Sequence, residues 1–434
     1  MKAIKRTLAI GLMATLCCAP CAAQTNQDLV NSIESNRFFN QVDSMGRVLL
    51  TTGLNAGSGY SEVWARDLNT FIETACEVVP AKDLRGALLV FFGLQQPNGE
   101  MIDGYVKKSP KGYGDPHPYY SDNAPDHVGF KNTVETDQET SLIQAVAKYI
   151  RKTGDSSILD EKVGKKTVYQ RMKMMIDYLM REKYDAAHGL IYGAMTADWG
   201  DVQPNDDEVV DINDNSIMAI DVYDNAMLAI ALNDMADMSQ GKDKAQWLAM
   251  RKDIMTNTRR YLWDDIRKKI IPHIYLNKKP ELGSFNENDV YYHGGTAVAI
   301  EAGLLTKEEV AIVNRQMLEN VRLSAMPSIG LTMYPPYPEG FFHGGMAKRY
   351  IYQNGGDWTW FGGRMIQQLI ANGYVAEAYD EVRPMIDRVL VNKGFFEWYG
   401  LGGVPSGSGQ FRGSAGVLCK AIAMFKTWAK ENKK

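Results

Sequence analysis

Four segments of the chain set carboxylates beside indoles. Val63-Trp64-Ala65-Arg66-Asp67 opens a helical stretch, where Asp67 and Arg66 suit sugar hydroxyls and Trp64 suits the face of a ring. Thr196-Ala197-Asp198-Trp199-Gly200-Asp201 puts two carboxyls around an aromatic and a glycine in a loop. Tyr352-Gln353-Asn354-Gly355-Gly356-Asp357-Trp358 adds hydroxyl ligands (Asn354, Asp357), a stacking wall (Trp358) and a glycine pair that lets backbone approach a ligand. Phe395-Phe396-Glu397-Trp398-Tyr399 buries a Glu among aromatics, which is costly unless the group is used or paired. Arg412 downstream is the expected partner holding Glu397 ionised, and Trp398 a second wall.

This chemistry is that of glycosidic bonds. Hydrolysis needs one carboxylic acid to protonate the leaving oxygen and a second carboxylate to activate water or attack the sugar; about 6.5–9.5 Å between them gives inversion, about 5 Å retention. A carboxyl packed against an indole loses water and is kept protonated. Asp201, favoured over Asp198, is the candidate acid, and Glu397 the candidate base.

Asp103-Gly104-Tyr105 and Glu135-Thr136-Asp137-Gln138-Glu139 are weaker sugar-binding candidates, the latter also reading as a Thr136/Glu139 capping box. The run Asp206, Asp207, Glu208, Asp211 reads as a solvated edge or a minor cation site. Tyr334-Pro335-Pro336-Tyr337-Pro338 reads as a rigid rim. The six His show no tight metal spacing, and no phosphate-cradling or dinucleotide motif appears, so neither metal nor cofactor is expected. Net charge is −4 with 48 basic and 52 acidic residues, and the aromatics lack interleaved Lys or Arg, so nucleic acid is excluded as first partner.

These residues must be positioned by helices. The 3.6-residue period marks about twelve stretches, near 26–37, 61–79, 81–95, 137–152, 163–183, 213–237, 242–263, 292–302, 306–320, 356–372, 374–391 and 412–431. Strand-like pieces are few: 49–52, 190–192 and 270–274. Long connections at 97–136, 192–212, 272–292, 322–356 and 395–411 carry the motifs, as functional loops do. The pattern predicts an all-α fold, a single (α/α)6 toroid over 24–434 with minor β pieces.

The start differs in kind. Lys2, Lys5 and Arg6 precede an apolar run from Leu8 to Cys18 and small residues to Ala23, the form of a signal peptide spanning 1–23. Export to the periplasm or exterior is expected, with no membrane span beyond it. Three of the five cysteines lie in that segment, leaving Cys76 and Cys419 as buried thiols.

Together the motifs resemble the inverting glycosidases with an (α/α)6 barrel, most closely the alkaline/neutral invertases, with the processing α-glucosidases and trehalases as relatives. The resemblance runs in order through Trp64–Asp67, Glu135–Asp155, Thr196–Asp201, Asn354–Trp358 and Phe396–Tyr399 with Arg412. It implies an acid Asp in 196–201, the base at Glu397, and a −1 sugar held by Arg66, Asp67, Asp357 and Trp358, with Trp64 and Trp398 as stacking walls; Asp103, Trp199 and Asn354 are further sugar-binding candidates by residue type. The Asp-Arg-Arg of the invertases is absent at the acid, which points away from sucrose and toward an α-glucoside or another short oligosaccharide. The rival readings are a lyase, epimerase or phosphorylase on the same barrel, and a glycan-binding protein without catalysis.

Overall fold

The computed structural model describes residues 26–109, 118–204 and 210–433. The segment read as a signal peptide and the acids Asp206 to Glu208 lie outside them. Among the described residues are fourteen α-helices: α1 (Asn26–Glu34), α2 (Arg37–Leu50), α3 (Ala65–Ala75), α4 (Ala81–Leu94), α5 (Gln138–Thr153), α6 (Val168–Glu182), α7 (Val222–Asp237), α8 (Gly241–Leu262), α9 (His293–Glu301), α10 (Lys307–Ser324), α11 (Thr359–Ala371), α12 (Val375–Glu381), α13 (Arg383–Val391) and α14 (Arg412–Asn432).

Six of them close a ring. α3 packs on α5, α5 on α7, α7 on α9, α9 on α11, α11 on α14, and α14 returns to α3. These inner helices are buried on most sides; α5 and α9 carry almost no exposed residue, α9 being mainly apolar while the first half of α5 buries polar side chains from Gln138 to Gln144. The others form an outer layer, with α2 on α14, α6 on α5, α8 on α7 and α12 on α11. This is the expected (α/α)6 barrel. A single apolar core runs through it, and a smaller cluster around Met195, Tyr292, Tyr337 and Phe342 lies under the loops.

Two helical expectations change. α2 replaces the strand expected at 49–52: Asn36 caps it by accepting from the Phe38 and Phe39 N–H groups, and Phe39, Val42, Leu49 and Leu50 bury one stripe. Gly46 inside it is no breaker, since a Cβ there would meet Cys419 Sγ on α14. The stretch 374–391 divides into α12 and α13, with Pro384 in the first turn of the second helix. Cys76 is half-buried and Cys419 buried, and both are free thiols.

Short extended segments feed the N-termini of several inner helices, and α3 and α7 therefore start later than the periodicity suggests. β1 (Val63–Trp64) leads into α3 and pairs antiparallel with β2 (Gly104–Lys107), which pairs with β3 (His127–Phe130). Met218–Ile220 leads to α7, Tyr291–Tyr292 to α9, and the hairpin Phe396–Tyr399/Pro405–Gly409 to α14. Asp67, Asp137, Asp221 and Asp224 stand in the first turns or caps of inner helices, where the positive end of the helix dipole favours a carboxylate. No helix among the described residues is long and apolar enough to cross a membrane.

Candidate active site

A cavity of about 320 Å³ opens at this end of the barrel. Asp67, Asp103, Glu135, Asp137, Asp201 and Glu397 reach it, and so do the indoles of Trp64, Trp199, Trp358 and Trp360. Carboxylates and aromatics far apart in sequence therefore share one wall.

Glu397 comes from the strand before α14. Its Oε1 accepts from the Tyr60 hydroxyl at 2.9 Å and its Oε2 from the Ser408 N–H at 2.7 Å. Burial pushes the carboxyl above its ordinary value, partly offset by those two hydrogen bonds, while the charge of Asp201 pushes it further up. Gly407 makes this possible: its φ is +68°, and a Cβ there would overlap Glu397 Oε2.

Asp201 enters from the loop before α7. Its Oδ1 accepts from Gln353 Nε2 at 2.7 Å, and its carbonyl accepts from Asn132 Nδ2 at 2.9 Å. It shares no hydrogen bond with Glu397. Asp198, three residues earlier, turns away. It is 1% exposed, its Oδ2 accepts from the Gly295 N–H of α9 at 2.7 Å, and it does not line the main cavity. Its left-handed backbone (φ 62°) reverses the chain so that the two carboxyls face different sides. Burial drives the Asp198 carboxyl well above its ordinary value, against the pull of the Gly295 and Gly294 N–H groups at the start of α9.

Asp67 stands in the first turn of α3, and its carboxyl receives no hydrogen bond from the described residues. Burial and then the charge of Glu397 raise it to about 7 against the pull of Arg66. Asp103 accepts from the Asn132 N–H at 2.8 Å and is likewise raised to about 7, by burial. Arg66 grips both oxygens of Asp137, at 2.7 and 2.9 Å, and Glu135 at 2.8 Å. Tyr223 also donates to Asp137, and these partners outweigh burial, leaving that carboxyl below its ordinary value. Trp199 packs edge-on to Trp358 at 4.7 Å and Trp360 at 5.0 Å, a box of indoles beneath the Arg66 guanidinium.

Four expected ligands lie elsewhere. Asp357 is fully buried, accepts from Ser328 and pairs with Arg388 at 2.8 Å. Asn354 binds backbone at Tyr337 and Lys348, shaping the loop. Trp398 precludes itself by alternation: neighbours on a strand point to opposite faces, so Glu397 turns inward and Trp398 packs by Tyr352. Arg412 binds the Asn55 carbonyl and Thr52 hydroxyl, both at 2.7 Å, and does not touch Glu397; Tyr60 and Ser408 do that work instead. The Thr136/Glu139 capping box does not form, because Thr136 donates to the Tyr192 carbonyl and Glu139 accepts from the Met101 N–H. Tyr60, Lys131, Tyr352, Gln353 and Trp360 were not singled out by sequence. Gln353 and Trp360 lay in or beside a marked motif, whereas Lys131 carried no signal.

Barrel and cavity define a carbohydrate-active (α/α)6 protein. The profile of the "Glycosyl hydrolase 94 superfamily, catalytic domain" matches residues 42–385, so the chain belongs to this superfamily and is a glycoside hydrolase. No curated protein sequence matches it. Among solved structures, it is similar to a rhamnosidase from Klebsiella oxytoca with rhamnose bound (12% identity, TM-score 0.58), covering 89% of this chain but only 63% of that one. It is also similar to the GH63 mannosylglycerate hydrolase from Thermus thermophilus, in its complex with Tris (15% identity, TM-score 0.59, 89% of this chain and 100% of that). The same hydrolase in complex with glucose gives 14% identity and a TM-score of 0.57, over 89% and 99%. At such identities the likeness is one of fold.

Proposed function

We propose that the protein hydrolyses a short, neutral oligosaccharide or glycoside with inversion, Asp201 protonating the leaving oxygen and Glu397 deprotonating the attacking water. The observation that carries this reading is that Asp201 and Glu397 reach one cavity from separate elements, each oriented by its own donors and neither bonded to the other. Asp67 and Asp103 offer oxygens to sugar hydroxyls, and Trp64, Trp199 and Trp358 offer stacking faces. The acidic lining favours the oxocarbenium-like charge of the transition state. An α-glucoside is the first substrate to try, on the resemblance described above.

Water rather than phosphate is the acceptor. Among the described residues lining the cavity the cations are Arg66 and Lys131. Arg66 is neutralised by Asp137 and Glu135, and Lys131 is hydrogen-bonded to Gln138 and faces the charges of Glu139 and Asp103. NMR of the first product from α- and β-linked glucosides, mannosides and rhamnosides, with and without phosphate, tests both points. An inverted anomer formed without phosphate supports the reading; retention, or turnover only with phosphate, overturns it. Export is part of the same proposal, and appearance of full-length chain in the cytoplasm alone would count against it.

A further inference from the structure

We propose that Gln353 is a positioning residue for the acid, its amide fixing Asp201 so that the proton to be donated sits on Oδ2. This rests on the reading of Asp201 as the acid. Gln353 Nε2 donates to Asp201 Oδ1 at 2.7 Å, and Gln353 Oε1 accepts from the Asp201 N–H at 3.4 Å. The second contact sets the orientation of the amide, since a backbone N–H can meet only its oxygen. An N–H aimed at Oδ1 favours the carbonyl form of that oxygen, which leaves the hydroxyl of a protonated carboxyl on Oδ2. The Tyr352 hydroxyl stands between the two oxygens, 3.5 Å from Oδ1 and 3.4 Å from Oδ2, weak contacts that do not decide which of them carries the proton.

The surroundings are built around this clamp. Gln353 is fully buried, and its carbonyl accepts from Thr332 Oγ1 at 2.9 Å. Tyr352 beside it takes a left-handed φ of 45°, a costly conformation for a bulky residue, and Trp358 Nε1 locks its carbonyl at 2.9 Å. Gly200 leaves the room: a Cβ there would come within 2.8 Å of Gln353 Oε1. An amide that touches the acid but does not line the cavity acts through Asp201.

The test compares two leaving groups on one sugar, a methyl glycoside and the glycosyl fluoride, in the full chain. α-D-Glucose is tried first, then α-D-mannose and α-L-rhamnose. Methoxide needs a proton to depart; fluoride does not. Gln353→Met is expected to lose at least about 100-fold in kcat on the methyl glycoside while staying within about fivefold of wild type on the fluoride. If Gln353→Met does not fold, as judged by melting, the near-isosteric Gln353→Glu is read the same way. Equal losses on both substrates, or no loss on the methyl glycoside, overturn the proposal. Asp201→Asn is measured alongside: if it shows the split and Gln353→Met does not, only the positioning role falls; if it shows none, the acid assignment falls too.

Discussion

Glu397 receives one hydrogen bond on each oxygen, and the two donors differ in what they can be asked. Ser408 contributes a backbone N–H that only proline would remove, whereas Tyr60 contributes a hydroxyl. A base must be ionised, so kcat/KM rises with pH as Glu397 deprotonates. Burial holds that carboxyl above its ordinary value, so the acidic limb of the profile is expected at higher pH than for a free glutamate. Tyr60→Phe deletes a bond that lowers it. The limb should move to still higher pH, with kcat/KM on the acidic side down about fivefold, the rate equivalent of a hydrogen bond of about 1 kcal/mol. A limb that stays in place would show that Tyr60 does not set the base. The motif around Glu397 was visible in sequence because a lone acid among aromatics is costly. Its partners were not, since Tyr60 lies 337 positions away. Arg412 looked like the partner by proximity and charge, yet position in the chain says nothing of which face a side chain takes.

At the scale of elements, the strand Phe396–Tyr399 and its return strand form a rigid frame for the base. Gly407 sits in that return with φ +68°. Gly407→Ala should be strained there by about 1–2 kcal/mol and push Glu397 out of place. A misplacement of about 1 Å can cost on the order of 100-fold in rate, so kcat is expected to fall that far with the fold retained by circular dichroism. The buried pair Asp357–Arg388 frames the other side of the same loop cluster. Arg388→Met leaves Asp357 buried without its cation and should destabilise by about 3–5 kcal/mol, read from denaturant unfolding. Arg388 does not reach the cavity, so KM of the folded protein should hold; a change in KM with stability intact would return Asp357 to the sugar site. Inner helices such as α3 and α5 were legible from their period because each keeps an apolar stripe, whereas α7 and α9, buried nearly all round, were legible mainly as long apolar runs. The outer α2 was not, since Gly46 and a polar middle hide a stripe whose complement, Cys419, lies in the last helix. The short extended leads into inner helices were equally hidden, because strands of two or three residues carry no period.

Over the whole molecule, the N-termini of four inner helices, α3, α5, α11 and α14, bring their residues to the cavity. The acids gathered there exceed the cations: six carboxyls line the cavity beside Arg66 and Lys131. The chain itself carries a net charge of −4. An anionic group on the leaving side of a substrate would enter a field of its own sign, with both cations already engaged. Like charges brought together in a partly desolvated site cost several kcal/mol, and 1.4 kcal/mol is tenfold. Two glycosides of equal size isolate this effect, one with a glycerol aglycone and one with glycerate, on the same sugar and linkage. The glycerol form is expected to be favoured at least tenfold in kcat/KM, with much of the difference in KM. Raising the salt should narrow the gap, since screening weakens the outer part of the field while the buried part persists. Preference for glycerate, or a gap indifferent to charge, would mean that Arg66 or Lys131 exchanges its carboxylate for the substrate's, and that the acidic lining does not select for neutral aglycones.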